Sequence, residues 1–335
     1  MKFYAAPMEG LTGFNYRKVH HQIFPGADKY YMPFVVTHPT GKYKSKELRE
    51  VAPENNVGVP AVPQILSNDA ENFVKCARTL HWMGYEEVNL NLGCPSPTVV
   101  PKKRGAGFLG VPDELERFFD IVFEGLANDD VQISVKSRLG LHSLEETERI
   151  FAIYEKYPIS ELIVHARTQK DLYKGLPHLE AFGRVAANTS HPVCFNGNIY
   201  NIEDFQQIKD RFPKVSAVMV GRGLIANPAL IRQLQGGAAL NKEELAAYLT
   251  ALYEGYEEAY PDGRTPVGRM KENWTYLHSM FEDCKKELKK IQKSKKPEEY
   301  REAVAAMLER PLKINHDSGL VPVQRPEGEE SRFGI

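Results

Sequence analysis

The chain has 335 residues, 42% of them hydrophobic and 26% charged, and a formal net charge of −1. This length allows one large α/β domain with a small appendage, and the composition excludes a disordered or fibrous protein. The near-neutral charge excludes a global attraction to nucleic acid, so any such partner needs local basic patches. No apolar run approaches the roughly 18 residues of a membrane span, so we expect no membrane partner.

The amino terminus and the cysteines predict the compartment. The first residues, M-K-F-Y-A-A-P, lack the long apolar core of a signal peptide. The four cysteines, Cys76, Cys94, Cys194 and Cys284, are widely spaced, which fits reduced thiols better than a disulfide framework or a metal site. We therefore expect a cytoplasmic protein that binds no metal and has no obligatory protein partner.

Strand-like runs alternate with amphipathic helix-like segments up to about residue 235. The predicted helices cover residues 69–83, 113–126, 144–157, 178–187 and 202–212. The predicted strands cover residues 3–6, 29–35, 61–65, 87–92, 132–136, 161–165, 193–196 and 217–220. Eight strands that alternate with helices predict an α/β fold, a (β/α)8 TIM barrel over residues 1–235.

Beyond residue 235 the sequence predicts only helices, over residues 242–256, 268–284, 286–292 and 297–307. We expect a small all-helical carboxyl-terminal domain over residues 241–316. Its aromatic side chains are expected to pack in the core of that domain: Tyr253, Tyr256, Trp274 and Tyr276. Residues 322–335 are rich in Pro, Gly and Glu, and we expect them to form a flexible tail.

Nearly every predicted strand is followed by polar or glycine residues, and barrel enzymes carry their active residues at this end of the strands. A single histidine or lysine could be a core or solvated residue, but several donors on one rim suit a flat, acceptor-rich cofactor such as a flavin ring. The candidates in chain order are Pro7, Met8, Glu9, Gln64, Asn91, Cys94, Lys136, His165, Arg167, Asn196, Gly197, Asn198, Gly221 and Arg222.

Glycine turns follow the last two predicted strands. Gly197 and the G-R-G run that begins at Gly221 would let backbone amides approach an anion, and Arg222 adds a fixed positive charge. These glycines could simply turn the chain. Their place after strands seven and eight, together with the arginine, favours a phosphate site.

Cys94 is the candidate catalytic group. It follows a predicted strand within N-L-G-C-P-S-P, so it lies on a proline-stiffened loop at the active rim. A buried structural thiol is the alternative, and we expect that role for the other three cysteines.

Two basic segments could contact RNA despite the neutral net charge. Lys102, Lys103 and Arg104 lie on the loop after Cys94, and a lysine-rich run that includes Lys289 and Lys290 lies in the helical region. A lysine run is commonly a solvated helix face. Beside a basic catalytic loop, it favours a surface that follows phosphates.

The motifs resemble those of tRNA-dihydrouridine synthases over residues 3–234 and, more loosely, in the helical region. They are A-P-M-E-G at 6–10, N-L-N-L-G-C-P-S at 89–96, H-A-R-T at 165–168 with Y-K-G at 173–175, N-G-N-I at 196–199 and G-R-G at 221–223. The resemblance implies an FMN-dependent barrel enzyme that uses NADPH to reduce the C5–C6 double bond of uridines in tRNA.

The same resemblance implies roles for individual residues. Cys94 would give a proton to C5 while hydride passes from FMN to C6. Asn91, Arg167 and Tyr173 would contact the base or the RNA. The remaining candidates would bind FMN: Pro7, Met8 and Glu9 at its edge, Gln64, Lys136 and His165 at the ring, and Asn196, Gly197, Asn198, Gly221 and Arg222 at the phosphate.

The chain departs from the family pattern at two places. Asn198 replaces the aspartate of N-G-D-I, and the loop R-G-A-G-F-L-G differs from the two small residues and paired leucines of relatives. Two other functions stay open at this point. One is an FMN barrel enzyme that acts on a free pyrimidine, of the dihydroorotate or dihydropyrimidine type, and the other is a non-catalytic RNA-binding protein.

Overall fold

The computed structural model describes residues 1–38, 40–41, 43–313 and 315–320. The predicted tail at 322–335 lies outside this range. One sheet contains ten strands, and all of their pairings are parallel. The strands are β1 (Lys2–Ala5), β2 (Lys29–Tyr31), β3 (Val35–Val36), β4 (Ala61–Val62), β5 (Gln64–Leu66), β6 (Glu87–Leu92), β7 (Gln132–Gly140), β8 (Leu162–Thr168), β9 (Val193–Asn196) and β10 (Ala217–Val220).

The sheet closes on itself. Its order is β3-β5-β6-β7-β8-β9-β10-β1-β2-β4. Strands β2 and β3 are the two halves of one interrupted strand, and β4 and β5 are the two halves of another. Since β2 pairs with β4 and β3 pairs with β5, the two ends of the sheet meet and eight strand positions surround one interior. The predicted (β/α)8 barrel is therefore confirmed.

Prolines interrupt two of the predicted strands. The strand predicted at 29–35 breaks at Pro33, and the one predicted at 61–65 breaks at Pro63. Proline has no amide hydrogen, so it cannot donate to a neighbouring strand. The first break has a further effect, because it places Pro33 and Phe34 in the wall of the cavity described below.

Helices surround the barrel and continue beyond it. The prediction missed the helices at 14–23, 45–51, 222–226 and 230–234, and the first of these is rich in polar residues that the fold buries. The helices are α1 (Phe14–Ile23), α2 (Ser45–Val51), α3 (Ala70–Trp82), α4 (Pro112–Gly125), α5 (Thr147–Tyr154), α6 (Leu179–Asn188), α7 (Ile202–Arg211), α8 (Arg222–Ala226), α9 (Leu230–Leu234), α10 (Lys242–Ala259), α11 (Arg264–Leu277), α12 (Lys285–Lys293) and α13 (Pro297–Leu308).

The buried histidine of α1 shows why the sequence pattern did not predict this helix, since a polar residue stands at a core position. His20 lies between the Tyr30 hydroxyl at 2.7 Å and the Pro228 carbonyl at 2.9 Å. Burial lowers the pKa of His20 to about 4, so its ring is neutral at pH 7 and behaves as a core residue. Among the described residues, none of the helices is long and apolar enough to cross a bilayer.

The helical region shares a hydrophobic core with the barrel. Tyr16 and Phe24 of the α1 region and Ile225 of α8 belong to the same buried cluster as the inner faces of α10 to α13. Trp274 of α11 is fully buried there, and its indole donates to the Tyr300 hydroxyl at 3.0 Å. This shared core holds the helices beside the carboxyl-terminal rim of the barrel.

A buried ion pair connects α1 and α2. Arg17 is 1% exposed, and its guanidinium donates to the Glu50 carboxylate at 2.9 Å and to the Thr12 carbonyl at 3.0 Å. The same carboxylate accepts from the Phe14 amide at 2.8 Å. The pair therefore fixes the loop between β1 and α1, which carries Met8 at the rim.

We expect Glu50→Ala to lower the free energy of unfolding by about 3–5 kcal/mol, because it leaves a buried guanidinium without its counter-charge. Glu114→Ala is the matched control, since Glu114 forms an exposed pair with Lys103 at 2.7 Å and such pairs contribute about 0–1 kcal/mol. Urea denaturation measures both effects. Equal losses in the two variants would contradict the prediction.

Candidate active site

A cavity of about 400 Å³ opens at the carboxyl-terminal rim of the barrel. Loops after most of the strands contribute to it, and Tyr276 of α11 adds a side chain from the helical region. The structure brings Cys94, Asn91 and Tyr173 together in this cavity. It also places here every residue that the sequence assigned to a cofactor: Pro7, Met8, Glu9, Gln64, Lys136, His165, Asn196, Gly197, Asn198, Gly221 and Arg222.

A chain of amide hydrogen bonds holds the cysteine loop. Gln64 Nε2 donates to Asn89 Oδ1 at 2.8 Å, and Gln64 Oε1 accepts from Asn91 Nδ2 at 2.6 Å. Asn91 Oδ1 in turn accepts from the backbone amides of Gly93 at 3.0 Å and Cys94 at 2.9 Å. Both ends of the Asn91 amide are thus engaged within the protein, so this side chain orients the turn that carries the thiol.

Cys94 is half-buried, whereas the other three cysteines are buried. Its carbonyl accepts from the Ala106 amide at 3.0 Å. Gly105 has a φ of +54°, and a Cβ at this position would lie 2.9 Å from the Cys94 carbonyl oxygen. Burial raises the pKa of the Cys94 thiol. The group therefore carries its proton at neutral pH, which suits a proton donor.

Lys136 supplies positive charge to the wall beside the cysteine loop, because β7 pairs with β6 and places Lys136 next to Asn91. Its Nζ donates to Asn196 Oδ1 at 3.0 Å. Burial lowers the pKa of Lys136 to about 8, and the nearby charge of Arg138 adds to that effect. His165 is buried beside it, and burial together with the surrounding cations lowers the pKa of His165 well below its usual range. The wall therefore combines an ammonium group with a neutral imidazole at pH 7.

The glycine turns form the end of the cavity near Arg222. Arg222 Nη2 donates to Asn198 Oδ1 at 2.7 Å. A Cβ on Gly221 would come within 3.3 Å of the Ala6 Cβ, and one on Gly223 would lie 2.1 Å from the Ile199 carbonyl oxygen. The absence of a side chain at Gly223 lets the loops after β9 and β10 pack against each other, and its absence at Gly221 lets the second loop approach Ala6, which follows β1.

Tyr173 lies over this cationic end. Its ring centroid is 5.4 Å from the Arg138 guanidinium and 5.2 Å from that of Arg222, and its side chain is 48% exposed. Both distances are within the range of cation–π attraction. The cations therefore hold the ring while much of it stays accessible from solvent.

Arg167 does not line the cavity. It is fully buried and donates to the Gly175 carbonyl, while its Nε and Nη1 have no hydrogen-bond partner among the residues that the structure describes. Burial lowers the pKa of Arg167 to about 10, and the charges of Arg222 and Arg138 contribute. Its contact with Gly175 supports the loop that carries Tyr173.

The remaining predicted contacts lie away from the cavity. Lys103 pairs with Glu114, and Arg104 Nε donates to Asn68 Oδ1 at 2.9 Å. Lys102 is exposed on the same loop, and α12 carries Lys289 and Lys290 on its exposed face. Cys94 therefore lies in the cavity, whereas the basic residues of its loop and of α12 lie on surfaces outside it.

The sequence did not assign Arg138, Tyr200 or Phe34 to the site, although all three line the cavity. Arg138 follows Lys136 by two positions on β7, so the two-residue period of a strand places both on the same face. Its guanidinium donates to the carbonyls of Gly93, Thr168 and Leu172, at 2.8, 2.8 and 2.9 Å respectively. Tyr200 and Phe34 come from loops whose course depends on packing.

Tyr276 was predicted to be a core residue, and that prediction is wrong. The ring is half-buried and lines the cavity, because α11 packs against α8 at the rim. The same prediction is confirmed for Tyr253, Tyr256 and Trp274, which are buried. Helical periodicity does not distinguish a residue that faces the core from one that faces the edge of a neighbouring domain.

The rim of this parallel barrel surrounds one cavity with a protonated thiol, an ammonium group and a neutral imidazole. This is the architecture of a cofactor-dependent barrel enzyme. The sequence comparison identifies the family. A sequence model described as "Dihydrouridine synthase (Dus)" matches residues 4–319, and the chain belongs to the dihydrouridine synthase family.

The sequence identity to three individual relatives lies between 26% and 29%. The chain is 26% identical over 312 residues to a tRNA-dihydrouridine(16) synthase of Neisseria meningitidis serogroup A, with 90% of this chain and 93% of that protein covered. It is 29% identical to a tRNA-dihydrouridine(16) synthase of Pseudomonas syringae pv. tomato, with 73% and 77% covered. It is 27% identical to a tRNA-dihydrouridine synthase B of Pasteurella multocida, with 70% and 69% covered.

Among solved structures, a structure of morphinone reductase aligns with a TM-score of 0.50 and 12% sequence identity. The alignment covers 72% of this chain and 87% of that one. At this identity the similarity concerns the fold alone, and it agrees with the closed parallel barrel described above.

The state of the thiol can be tested by alkylation of the native protein with iodoacetamide. Because the thiolate is the reacting form and the pKa of Cys94 is raised, Cys94 should react more slowly at pH 7 than free cysteine. The rate should rise about tenfold per pH unit up to at least about pH 9. Mass spectrometry should find Cys94 modified before the three buried cysteines. A rate plateau below pH 8 would indicate a stabilised thiolate and contradict the prediction.

Proposed function

We propose that this protein reduces the C5–C6 double bond of uridines in tRNA to 5,6-dihydrouridine, with bound FMN as cofactor and NADPH as reductant, and that it acts in the cytoplasm. The observation that carries the proposal is the cavity that Cys94 shares with Lys136 and His165, in a chain of the dihydrouridine synthase family. The relatives named as tRNA-dihydrouridine synthases support tRNA as the substrate.

The residues that line the cavity fit FMN in size and chemistry. Its volume of about 400 Å³ falls within the roughly 300–1,000 Å³ of small-molecule sites. Lys136 and His165 offer polar contacts to the heteroatoms of a flavin ring, and Gln64 lines the same cavity. Arg222, beside the glycine turns, suits the phosphate. When bound, FMN would supply the hydride that adds to C6 of the uracil ring.

Cys94 would supply the matching proton to C5. Its raised pKa keeps the proton on sulfur until the base is in place, and Asn91 fixes the backbone on which the thiol is carried. Arg138 and Lys136 act on Cys94 in the opposite sense to burial, since both favour the thiolate. These cations would therefore stabilise the sulfur after it has lost its proton. A uridine must leave its stack to reach this site.

The helical region, residues 241–316, is proposed as the tRNA-binding domain. Lys285, Lys286, Lys289, Lys290 and Lys293 are exposed on α12, and α12 packs against α11, which carries Tyr276 into the cavity wall. The exposed Lys102 and Lys103 follow Cys94 on its own loop. We infer that an RNA held along these lysines presents one unstacked base to the cavity.

Visible spectroscopy under anaerobic conditions tests the whole proposal. The purified protein should contain FMN or take it up, NADPH should bleach the flavin, and unmodified tRNA should restore the oxidised spectrum. Protein that does not bind FMN would contradict the proposal. Reoxidation by free uracil or orotate but not by tRNA would instead indicate an enzyme of small pyrimidines.

Cys94→Ala should bind FMN and be reduced by NADPH like the unchanged protein. Uridine reduction should fall by about 10²–10⁴-fold, the usual contribution of a positioned acid. Cys76→Ala is the matched control, because Cys76 is buried within α3, away from the cavity. Single-turnover reoxidation of the reduced enzyme by tRNA measures the effect. Unchanged turnover in Cys94→Ala would remove this residue from the mechanism.

Charge reversal at Lys289 and Lys290 should weaken tRNA binding and leave FMN binding unchanged. The slope of log affinity against log salt concentration should become shallower by about 1.5, since each phosphate contact contributes roughly 0.7–0.9. Lys75→Glu with Lys209→Glu is the matched control, because both lysines are exposed on the barrel helices α3 and α7. Filter binding at several salt concentrations measures the slopes, and equal effects of the two pairs would contradict this surface.

A further inference from the structure

The last described residues return from the helical region to the barrel. We name residues 315–320 the C-terminal strap. The strap lies against the loop that follows β9: Asn201 Nδ2 donates to the His316 carbonyl at 3.0 Å, and the His316 ring stacks on Tyr200 with a centroid distance of 4.9 Å. Leu320 is buried in the main hydrophobic core of the barrel. The strap is thus a packed part of the rim.

A buried carboxylate anchors the strap. Asp204 lies in the first turn of α7 and is 1% exposed. Its oxygens accept from the backbone amides of Tyr200 at 2.9 Å, Gly319 at 2.9 Å and Leu320 at 3.2 Å, and also from the Ser318 hydroxyl. Hydrogen bonds to an ionised carboxylate are stronger than those between neutral groups. Asp204 therefore fixes the strap relative to the loop after β9.

The strap contacts two side chains of the cavity wall, Tyr200 and Asn198, and it hydrogen-bonds to the second of them. The Gly319 carbonyl accepts from Asn198 Nδ2 at 3.0 Å, and Asn198 Oδ1 accepts from Arg222 Nη2 at 2.7 Å. A guanidinium only donates and a carbonyl only accepts, so the two contacts together fix which end of the Asn198 amide faces Arg222. Without Gly319 the amide could rotate and turn its NH₂ group toward the cation.

The fit at Gly319 is close. A Cβ at this position would lie 2.4 Å from Tyr200 Cδ2, 2.5 Å from the Asn198 carbonyl oxygen and 2.7 Å from Asn198 Cβ. None of these atoms is the far end of a flexible chain. Any side chain at 319 would therefore push the strap away from Asn198, which makes Gly319 the sensitive point of the contact.

We propose that the C-terminal strap completes the phosphate end of the cavity, and that Gly319 and Asp204 are positioning residues that hold Arg222 in place through Asn198. The inference rests on the proposed function, because it takes the FMN phosphate as the group that Arg222 binds. It adds that residues from the carboxyl-terminal end of the described chain decide how strongly the protein selects a phosphorylated flavin.

Binding of FMN and of riboflavin to the apoprotein tests the inference, since the two ligands differ only in the phosphate. Flavin fluorescence quenching gives both dissociation constants. Gly319→Ala should raise the dissociation constant of FMN at least about tenfold, the scale of one lost charge-assisted contact, and leave that of riboflavin nearly unchanged. Gly268→Ala is the matched control, because a Cβ at Gly268 on α11 would meet no atom within 4 Å.

A double-mutant cycle tests the route of the effect. If Gly319 acts through Asn198, then Gly319→Ala combined with Asn198→Ala should lose no more FMN affinity than Asn198→Ala alone. Additive losses would overturn the route. Should Gly319→Ala fail to fold, Asp204→Asn replaces it in the same cycle, because it keeps the shape of the side chain and removes the charge that holds the strap.

The outcomes separate the two proposals. Failure of the unchanged protein to bind FMN would overturn the proposed function. FMN binding by the unchanged protein, with the same preference for FMN over riboflavin in the strap variants, would overturn only the role of the strap. Equal weakening of FMN and riboflavin in Gly319→Ala would also overturn it, because it would show a general loss of cavity structure.

Discussion

Closure of the parallel sheet is the constraint on which the site depends. Since the strands run parallel around one interior, their carboxyl ends all meet at one rim. The interior is filled by side chains such as Tyr4, Tyr31 and Met219, so the space that remains for a ligand lies at the rim. The β6–β7 pairing then sets neighbours directly, because Asn91 and Lys136 are partners in register. The thiol loop and Lys136 thus lie side by side at the rim of a single cavity.

The rim concentrates positive charge, and this governs its chemistry. Lys136, Arg138 and Arg222 line the cavity, and burial with mutual repulsion lowers the pKa values of Lys136 and His165. Neutral acceptors such as Asn196 and Asn198 hold these groups without cancelling their charge. Such a site is poised for an anion, because a bound negative charge would relieve the repulsion that the fold maintains. Cys94 keeps its proton there because the cost of burying a thiolate outweighs the attraction of the cations.

The helical region contributes residues to the site, although it comes after the barrel in the sequence. It shares a core with α1 and α8, it places Tyr276 in the cavity wall, and the chain then returns as the strap beside Asn198. A substrate that bound to the exposed lysines of α12 would therefore contact the same body that shapes the cavity. This arrangement connects the proposed recognition of tRNA with the proposed flavin site.

The sequence by itself determined the barrel and most of the rim, because strand periodicity is local and parallel strands send their ends to one place. In this way the sequence predicted that the rim carries Cys94, Lys136, His165 and the glycine turns. Only the tertiary structure decided that Arg167 is buried and does not line the cavity, that Tyr276 lines it, and that Gly319 contacts Asn198 from 121 positions away. Such contacts depend on how helices and chain ends pack against the finished barrel, and no local pattern of residues encodes that packing.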